Sequence, residues 1–164
     1  MSKPIIYVDM DGVLADFKTA AVKTTGMSIN KWMNIPSSKE KWTPIKLKKN
    51  FWHTLPWMPG GKRLWSYVSK FDPHILSAYV EESYDPNCIP GKTEWLRRNA
   101  GMTNRQKINL VRRKEKKLFA KKGKPAILID DYEKNVRDFQ QSGGIGIHHT
   151  DTSKTIAQLK KLGF

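Results

Sequence analysis

IIYVDMDGVLADF, residues 5–17, is the stretch of sequence from which the fold can be inferred. Its first four residues, Ile5–Val8, are the aliphatic and aromatic side chains typical of a short buried strand. Asp9 and Asp11 follow, and Gly12 allows a sharp turn there. Two carboxylates at the carboxyl end of a buried strand need a cation or ordered donors to offset their repulsion. Such oxygen ligands suit Mg²⁺, and an acidic turn without a ligand is the alternative.

The composition predicts one folded domain of 164 residues with a strongly basic surface. Lys and Arg number 30 against 15 Asp and Glu, so the formal charge of +15 favours anionic partners such as nucleotides, nucleic acids or phosphate esters. Cys88 is the only cysteine, which excludes an intrachain disulfide and favours a reducing, cytoplasmic location. The sequence has no signal-peptide pattern and no apolar run as long as a membrane span, so no membrane partner is expected.

Short apolar strands alternate with amphipathic helices along most of the chain. The predicted strands are Ile5–Val8, His74–Leu76, Ile108–Val111, Ala126–Ile129 and Ile145–His148. The predicted helices are Ala15–Thr25, Lys62–Phe71, Lys92–Ala100, Glu133–Gln141 and Thr152–Leu162. This alternation predicts an α/β fold, in which a parallel sheet is covered by helices on both faces.

The segment from Gly26 to Gly61 differs in character from the rest of the chain. Its tryptophans are interleaved with lysines and broken by prolines, which predicts an irregular, partly helical insertion. We therefore expect a single domain, 1–164, with a core of 1–16 and 62–164 and a small cap insertion over about 17–61. Within the cap, Phe51 and Trp52 could stack against a nucleobase or could pack the insertion onto the sheet.

Polar residues end three of the predicted strands. Asp9 and Asp11 end the first, Ser77 ends the second, and Asp130 and Asp131 end a later one. Because the carboxyl ends of parallel strands lie along one edge, we expect these side chains to form a site for one Mg²⁺ and a phosphate group. There Asp9 could attack phosphorus, and Asp11 could protonate the leaving oxygen and then activate water. Ser77 could bind a phosphoryl oxygen and Asp130 the metal, while a lysine offsets the transition-state charge.

The order of these motifs resembles a known superfamily. DMDGVLADF, the strand ending in Ser77, a basic run and ILIDD are similar to the four motifs of the haloacid dehalogenase-like (HAD) phosphohydrolases. FWHTLPWMPGG, Cys88 before Gly91-Lys92, and INLVRRK resemble the 5′(3′)-deoxyribonucleotidase family more specifically. The resemblance implies a HAD-like Rossmannoid three-layer fold with a parallel central sheet. It also implies Mg²⁺-dependent hydrolysis of nucleoside 5′-monophosphates, in particular deoxyribonucleotides.

The resemblance assigns roles to the four aspartates. Asp9 falls on the nucleophile that forms an aspartyl-phosphate intermediate. Asp11 falls on the general acid and base, and its backbone carbonyl is expected to ligate Mg²⁺ as well. Asp130 falls on a metal ligand, and Asp131 supports the metal from the surrounding shell or through a water.

The resemblance also implies the residues that hold the phosphate. Its phosphate-binding hydroxyl falls on Ser77, which is followed by Ala78-Tyr79 where animal members have Ser-Pro. We expect the backbone at Ala78 to keep its contact with the substrate. The family's lysine aligns best with Lys114, and other cations of the same basic run are rivals for that role: Arg113, Lys116 and Lys117.

The basic run Arg105–Lys124 has three interpretations. It could be a solvated helix face or loop, a surface that binds nucleic-acid phosphates, or a source of charge that steers small anions to the site. The expected partner is a small-molecule nucleotide, with nucleic acid as a second candidate and a homodimer implied by the resemblance alone. Two further functions fit the same fold: a phosphatase acting on nucleic-acid ends, and a non-catalytic basic nucleic-acid-binding protein.

Overall fold

A computed structural model of the protein describes residues 3–122 and 125–164. Within these ranges, five parallel strands form one sheet in the order β3-β2-β1-β4-β5. The strands are β1 (Ile6–Val8), β2 (His74–Ala78), β3 (Ile108–Val111), β4 (Ile127–Asp130) and β5 (Ile145–His148). All five predicted strands are therefore confirmed. The predicted core and basic run also include Met1, Ser2, Gly123 and Lys124, which lie outside the described residues.

Helices connect the strands, as the alternating pattern predicts. They are α1 (Phe17–Thr25), α2 (Ile29–Met33), α3 (Ser38–Leu47), α4 (Gly61–Val68), α5 (Cys88–Ala100), α6 (Glu133–Gln141) and α7 (Thr152–Lys161). Short 3₁₀ helices lie at Trp52–Thr54, Ser69–Phe71, Arg105–Lys107 and Arg113–Phe119. Side-chain caps start several of these helices; the Asp151 carboxylate, for example, accepts a hydrogen bond from Lys154 N at 2.9 Å at the start of α7. Gly101 ends α5 in the left-handed conformation.

Both faces of the sheet are buried, which explains the apolar sequences of its strands. On one face Tyr7, Leu76 and Leu128 form a cluster with Ala120 and Phe139. The alternate positions of the same strands are fully buried as well: Ile6, Val8, Ile75, Ile127 and Ile129. Burying one such side chain stabilises a fold by about 1.5–3 kcal/mol, so the central strands are fixed in register.

Contacts divide the chain into two compact units. The first, the sheet unit, comprises the chain up to Ala15, Trp57–Ala78 and Asn104–Phe164. The second, the aromatic unit, comprises Asp16–Pro56 and Tyr79–Thr103. This second unit differs from the predicted cap at about 17–61 chiefly by its inclusion of Tyr79–Thr103.

Two buried hydrogen bonds tie the separate segments of the aromatic unit together. Trp52 Nε1 donates to Asp85 Oδ2 at 2.7 Å, and Trp95 Nε1 donates to the Leu55 carbonyl at 2.7 Å. Each bond joins residues more than thirty positions apart in the chain. Among residues 3–122 and 125–164, no helix combines the length and apolar composition needed to cross a bilayer.

Candidate active site

The register of the sheet brings Asp9 and Asp130 together. β1 pairs with β4 so that Val8 lies opposite Ile129, and the next residues of the two strands are the two aspartates. Asp9 N donates to the Ile129 carbonyl at 3.0 Å, which continues the pairing by one residue. The convergence predicted from the strand ends is therefore present between β1 and β4.

Three carboxylates converge at this edge of the sheet. Asp9, Asp130 and Asp131 each present one oxygen, and these oxygens lie within 4.8 Å of one another. Asp9 and Asp130 are buried and Asp131 is half-buried. A cluster of hard oxygen ligands at this spacing has the chemistry of a Mg²⁺ site. The Asp11 carboxylate is not a member of this group, so its expected metal contact through the backbone carbonyl stays a prediction.

A buried lysine, Lys116, lies between two of these aspartates. Its Nζ is 3.1 Å from Asp9 Oδ1 and 2.8 Å from Asp130 Oδ2. Only 3% of its side chain is exposed. The assignment of the site lysine to Lys114 is thereby corrected, because Lys114 is exposed and Lys116 makes both contacts.

The 3₁₀ helix Arg113–Phe119 explains which lysine points inward. In a 3₁₀ helix the side chains repeat every three residues, so Lys116 and Phe119 share one face. Phe119 packs edge-on against Tyr7 of β1, with 5.4 Å between the ring centroids, and turns that face toward the sheet. Glu115 Oε1 accepts a hydrogen bond from Arg112 N at 2.8 Å and fixes the start of the helix. In the sequence, Phe119 and Glu115 are the residues that could have indicated the inward-facing lysine. The basic run has no clear helical periodicity, so the sequence did not show which lysine shares a face with Phe119.

Electrostatics show that the site carries an excess of negative charge. Burial raises the pKa of Asp9, with the nearby Asp130 adding to the shift and Lys116 opposing it. Burial and Asp130 also raise the pKa of Asp131, to about 6. Burial alone would lower the pKa of Lys116, but Asp9 and Asp130 outweigh it and raise that pKa, so the ammonium group stays charged. One lysine therefore does not balance the carboxylates, which favours a bound cation.

Neighbouring groups hold Asp130 and Asp131 in place. Asn135 Nδ2 donates to Asp130 Oδ2 at 3.1 Å, and Tyr132 N donates to Asp130 Oδ1 at 2.9 Å. Gly12 has a φ of 83°, and a Cβ at this position would lie 2.0 Å from Asp131 Oδ2. Sequence reasoning missed Asn135, whose only signal is its place in the first turn of α6 after the paired aspartates.

Ser77 lies at the same edge of the sheet, on β2. β2 pairs with β1 so that Ile75 lies opposite Val8, which places Ser77 two residues further toward the carboxyl edge. Its side chain is fully buried, and Ala78 is the last residue of the strand. This position agrees with a phosphate-binding hydroxyl, and the roles of both residues stay predictions.

Phe51 and Trp52 lie in the interior of the aromatic unit. Their rings belong to a cluster with Phe17, Trp32 and Trp42, with contacting ring centroids 5.0–6.1 Å apart. Each is only 1% exposed, so both rings are buried. Both residues therefore pack within the aromatic unit. Their assignment as substrate-binding residues stays a prediction.

The family model described as "5′ nucleotidase, deoxy (Pyrimidine), cytosolic type C protein" matches residues 3–158. The chain belongs to this family. It is therefore a phosphoric monoester hydrolase of the 5′-nucleotidase type, which argues against the non-catalytic alternative. Among curated protein sequences, none matches the chain.

Solved structures of other hydrolases share the fold. A hydrolase from Streptococcus pneumoniae TIGR4 is 12% identical, with a TM-score of 0.58 over 98% of this chain and 100% of that chain. A hydrolase from Pseudomonas syringae is 15% identical, with a TM-score of 0.55 over 98% and 90%. A HAD family hydrolase from Deinococcus radiodurans R1, with bound phosphate and sodium, is 12% identical, with a TM-score of 0.53 over 99% and 89%. At these identities the likeness shows the HAD fold alone.

Proposed function

We propose that the protein hydrolyses nucleoside 5′-monophosphates, in particular deoxyribonucleotides, through an aspartyl-phosphate and with Mg²⁺. The observation that carries the proposal is the ion pair of Lys116 with Asp9 and Asp130, beside a third carboxylate at 4.8 Å or less. The family to which the chain belongs supports the substrate, since its description names deoxynucleotides and a cytosolic type. The same description supports the cytoplasmic location that the single cysteine predicts.

The donor set of the site fits a magnesium ion. Asp9, Asp130 and Asp131 would hold it with carboxylate oxygens, and the Asp11 carbonyl would add a fourth oxygen. When bound, Mg²⁺ would offset the charge of these carboxylates and of the phosphoryl oxygens. The raised pKa of Asp9 points to the same need, because a nucleophilic carboxylate must be ionised.

In the proposed reaction Asp9 attacks phosphorus. Lys116 holds its Oδ1 at 3.1 Å, which leaves Oδ2 as the nucleophile. A bond then forms between Asp9 Oδ2 and phosphorus while the bond from phosphorus to the nucleoside oxygen breaks. The buried Lys116 ammonium offsets the charge that develops on the phosphoryl oxygens, and Ser77 and the Ala78 backbone would hydrogen-bond them.

Asp11 would transfer the protons of both steps. Its carboxylic acid donates a proton to the departing nucleoside oxygen, and the resulting carboxylate then removes a proton from water. That water attacks phosphorus, the bond to Asp9 Oδ2 breaks, and phosphate leaves with Asp9 restored.

Phosphate release from a panel of nucleotides tests the proposal. The panel contains ribo- and deoxyribonucleoside 5′-monophosphates, assayed with Mg²⁺ and with EDTA, for the wild type and Asp9→Asn. We expect turnover of the mononucleotides that needs Mg²⁺ and is absent from the variant. Phosphate release that is unaffected by EDTA would contradict the proposed metal. Phosphate release that is equal in Asp9→Asn would contradict the proposed nucleophile.

A further inference from the structure

An exposed cation and an exposed aromatic ring lie together on the sheet unit. The Arg113 guanidinium carbon is 4.8 Å from the centroid of the Tyr132 ring. Arg113 is exposed, and Tyr132 is 43% exposed. Neither residue has a role in the hydrolysis described above.

Both residues are joined to the catalytic groups by short connections. Arg113 is the first residue of the 3₁₀ helix that carries Lys116, and it precedes Lys116 by three residues, one turn of such a helix. Tyr132 directly follows Asp131 in the chain, and its backbone N donates to Asp130 Oδ1 at 2.9 Å. The pair is therefore connected to the phosphate site by one helical turn through Arg113 and by a backbone hydrogen bond through Tyr132.

The contact with Tyr132 leaves the hydrogen-bonding edge of Arg113 available. A guanidinium group that rests on an aromatic face keeps its N–H groups in its own plane, where they can bind phosphate in a bidentate manner. Within residues 3–122 and 125–164, no carboxylate forms an ion pair with Arg113. The ring contact also limits the rotamers of a long side chain, which lowers the entropy lost on binding an anion.

We propose that Arg113, positioned by Tyr132, binds a second phosphate group of the substrate, next to the phosphate that reacts at Asp9. The inference rests on the proposed function, because it takes the Asp9 and Lys116 site as the place of the reacting phosphate. The second phosphate is either the 3′-phosphate of a nucleoside bisphosphate or the first phosphodiester of a 5′-phosphorylated oligonucleotide. The exposure of the pair and the net charge of +15 favour the oligonucleotide, whose chain would continue into solvent.

Kinetics with matched substrates test the inference. We would measure kcat/KM for a deoxynucleoside 5′-monophosphate, its 3′,5′-bisphosphate and the 5′-phosphorylated dinucleotide, with the wild type and Arg113→Gln. We expect the variant to lower kcat/KM for the two-phosphate substrates about tenfold more than for the monophosphate, as expected for one charge-assisted contact. A larger loss on the dinucleotide than on the bisphosphate would identify the phosphodiester as the second group.

Lys117→Gln is the control variant. It removes one exposed cation from the same helix, at a position whose charge acts on Asp138 of α6. We expect it to leave the ratio between the substrates unchanged, and Tyr132→Leu to reproduce part of the Arg113→Gln effect. Equal losses on all three substrates, or equal effects of Arg113→Gln and Lys117→Gln, would overturn the inference.

A binding measurement separates this inference from the proposed function. We would titrate a fluorescent 5′-phosphorylated dinucleotide into Asp9→Asn and into Asp9→Asn with Arg113→Gln. A dissociation constant raised about tenfold by the second substitution supports the subsite even if the wild type releases no phosphate. An unchanged constant overturns the subsite even if mononucleotides are hydrolysed.

Discussion

The sheet unit and the aromatic unit bury different kinds of side chain. At the edge of the sheet, Asp9, Lys116 and Asp130 are buried as charged groups. In the aromatic unit, buried rings such as Phe51 and Trp52 pack against one another. Apolar burial stabilises a fold, whereas burying charges costs free energy that their pairing only partly returns. The buried charges are therefore explained by the reaction that they are proposed to catalyse, and the buried rings by their contribution to the stability of the fold.

The largest expected effect is that of Asp9→Asn on activity. Without the nucleophile, we expect kcat for the best mononucleotide to fall by about 10⁴-fold or more. The folded protein should lose no stability, because the change removes one of several crowded negative charges. Phosphate release and a urea unfolding curve on the same sample check both parts. A marked loss of stability would indicate that Asp9 is chiefly structural.

Lys116→Met should reduce both activity and stability. We expect kcat/KM to fall by about 10²–10³-fold, the usual effect of losing one group that stabilises transition-state charge. The free energy of unfolding should fall as well, because Asp9 and Asp130 lose their shared cation. Lys114→Met is the matched control, because Lys114 is an exposed cation of the same helix. The reverse pattern, with the loss at Lys114, would restore the assignment made from sequence.

The stability of the metal-free protein should depend on the ionisation of Asp131. Its pKa is raised from 3.8 to about 6, so the folded state binds this proton more tightly than the unfolded state. The free energy of unfolding should therefore fall as pH rises from about 4 to 7, by at most about 3 kcal/mol from this group. Urea unfolding curves recorded in EDTA at several pH values across this range measure this change in the free energy of unfolding. Asp131→Asn should flatten the profile, and an unchanged profile would contradict the assigned shift.

Trp52→Phe should affect stability in the aromatic unit. Phenylalanine keeps most of the ring packing but cannot donate to Asp85, a carboxylate only 1% exposed. We expect a loss of about 1–3 kcal/mol in the free energy of unfolding, measured with urea. Trp42→Phe is the control, because its ring belongs to the same cluster but is only half-buried. A raised KM without a loss of stability would return Trp52 to a role in substrate binding.

Much of the sheet unit could be predicted from sequence because its signals are local. An apolar run followed by Asp9, and another followed by Asp130, each indicate a buried strand with a polar end. Parallel topology then places those ends together, as the pairing of β1 with β4 shows. The predicted bounds of Ile108–Val111 and Ile145–His148 agree with β3 and β5.

The remaining features depend on contacts that a local pattern does not contain. Lys116 rather than Lys114 faces the site because the basic run forms a 3₁₀ helix with three residues per turn, which its sequence did not indicate. The grouping of Tyr79–Thr103 with Asp16–Pro56 depends on bonds such as Trp52 to Asp85, 33 residues apart. From sequence, the aromatic residues Phe51 and Trp52 fitted either stacking on a nucleobase or packing of the insertion, and their burial is known only from the structure.

Direct detection of a phosphorylated Asp9 tests the proposed nucleophile. A deoxyribonucleoside 5′-monophosphate would be mixed with the enzyme and Mg²⁺, quenched rapidly in acid, and the peptides mapped by mass spectrometry. We expect a phosphoryl group on the peptide that contains Asp9 and none when the Asp9→Asn variant is used. A phosphoryl group on another residue, or undiminished phosphate release by Asp9→Asn, would contradict it.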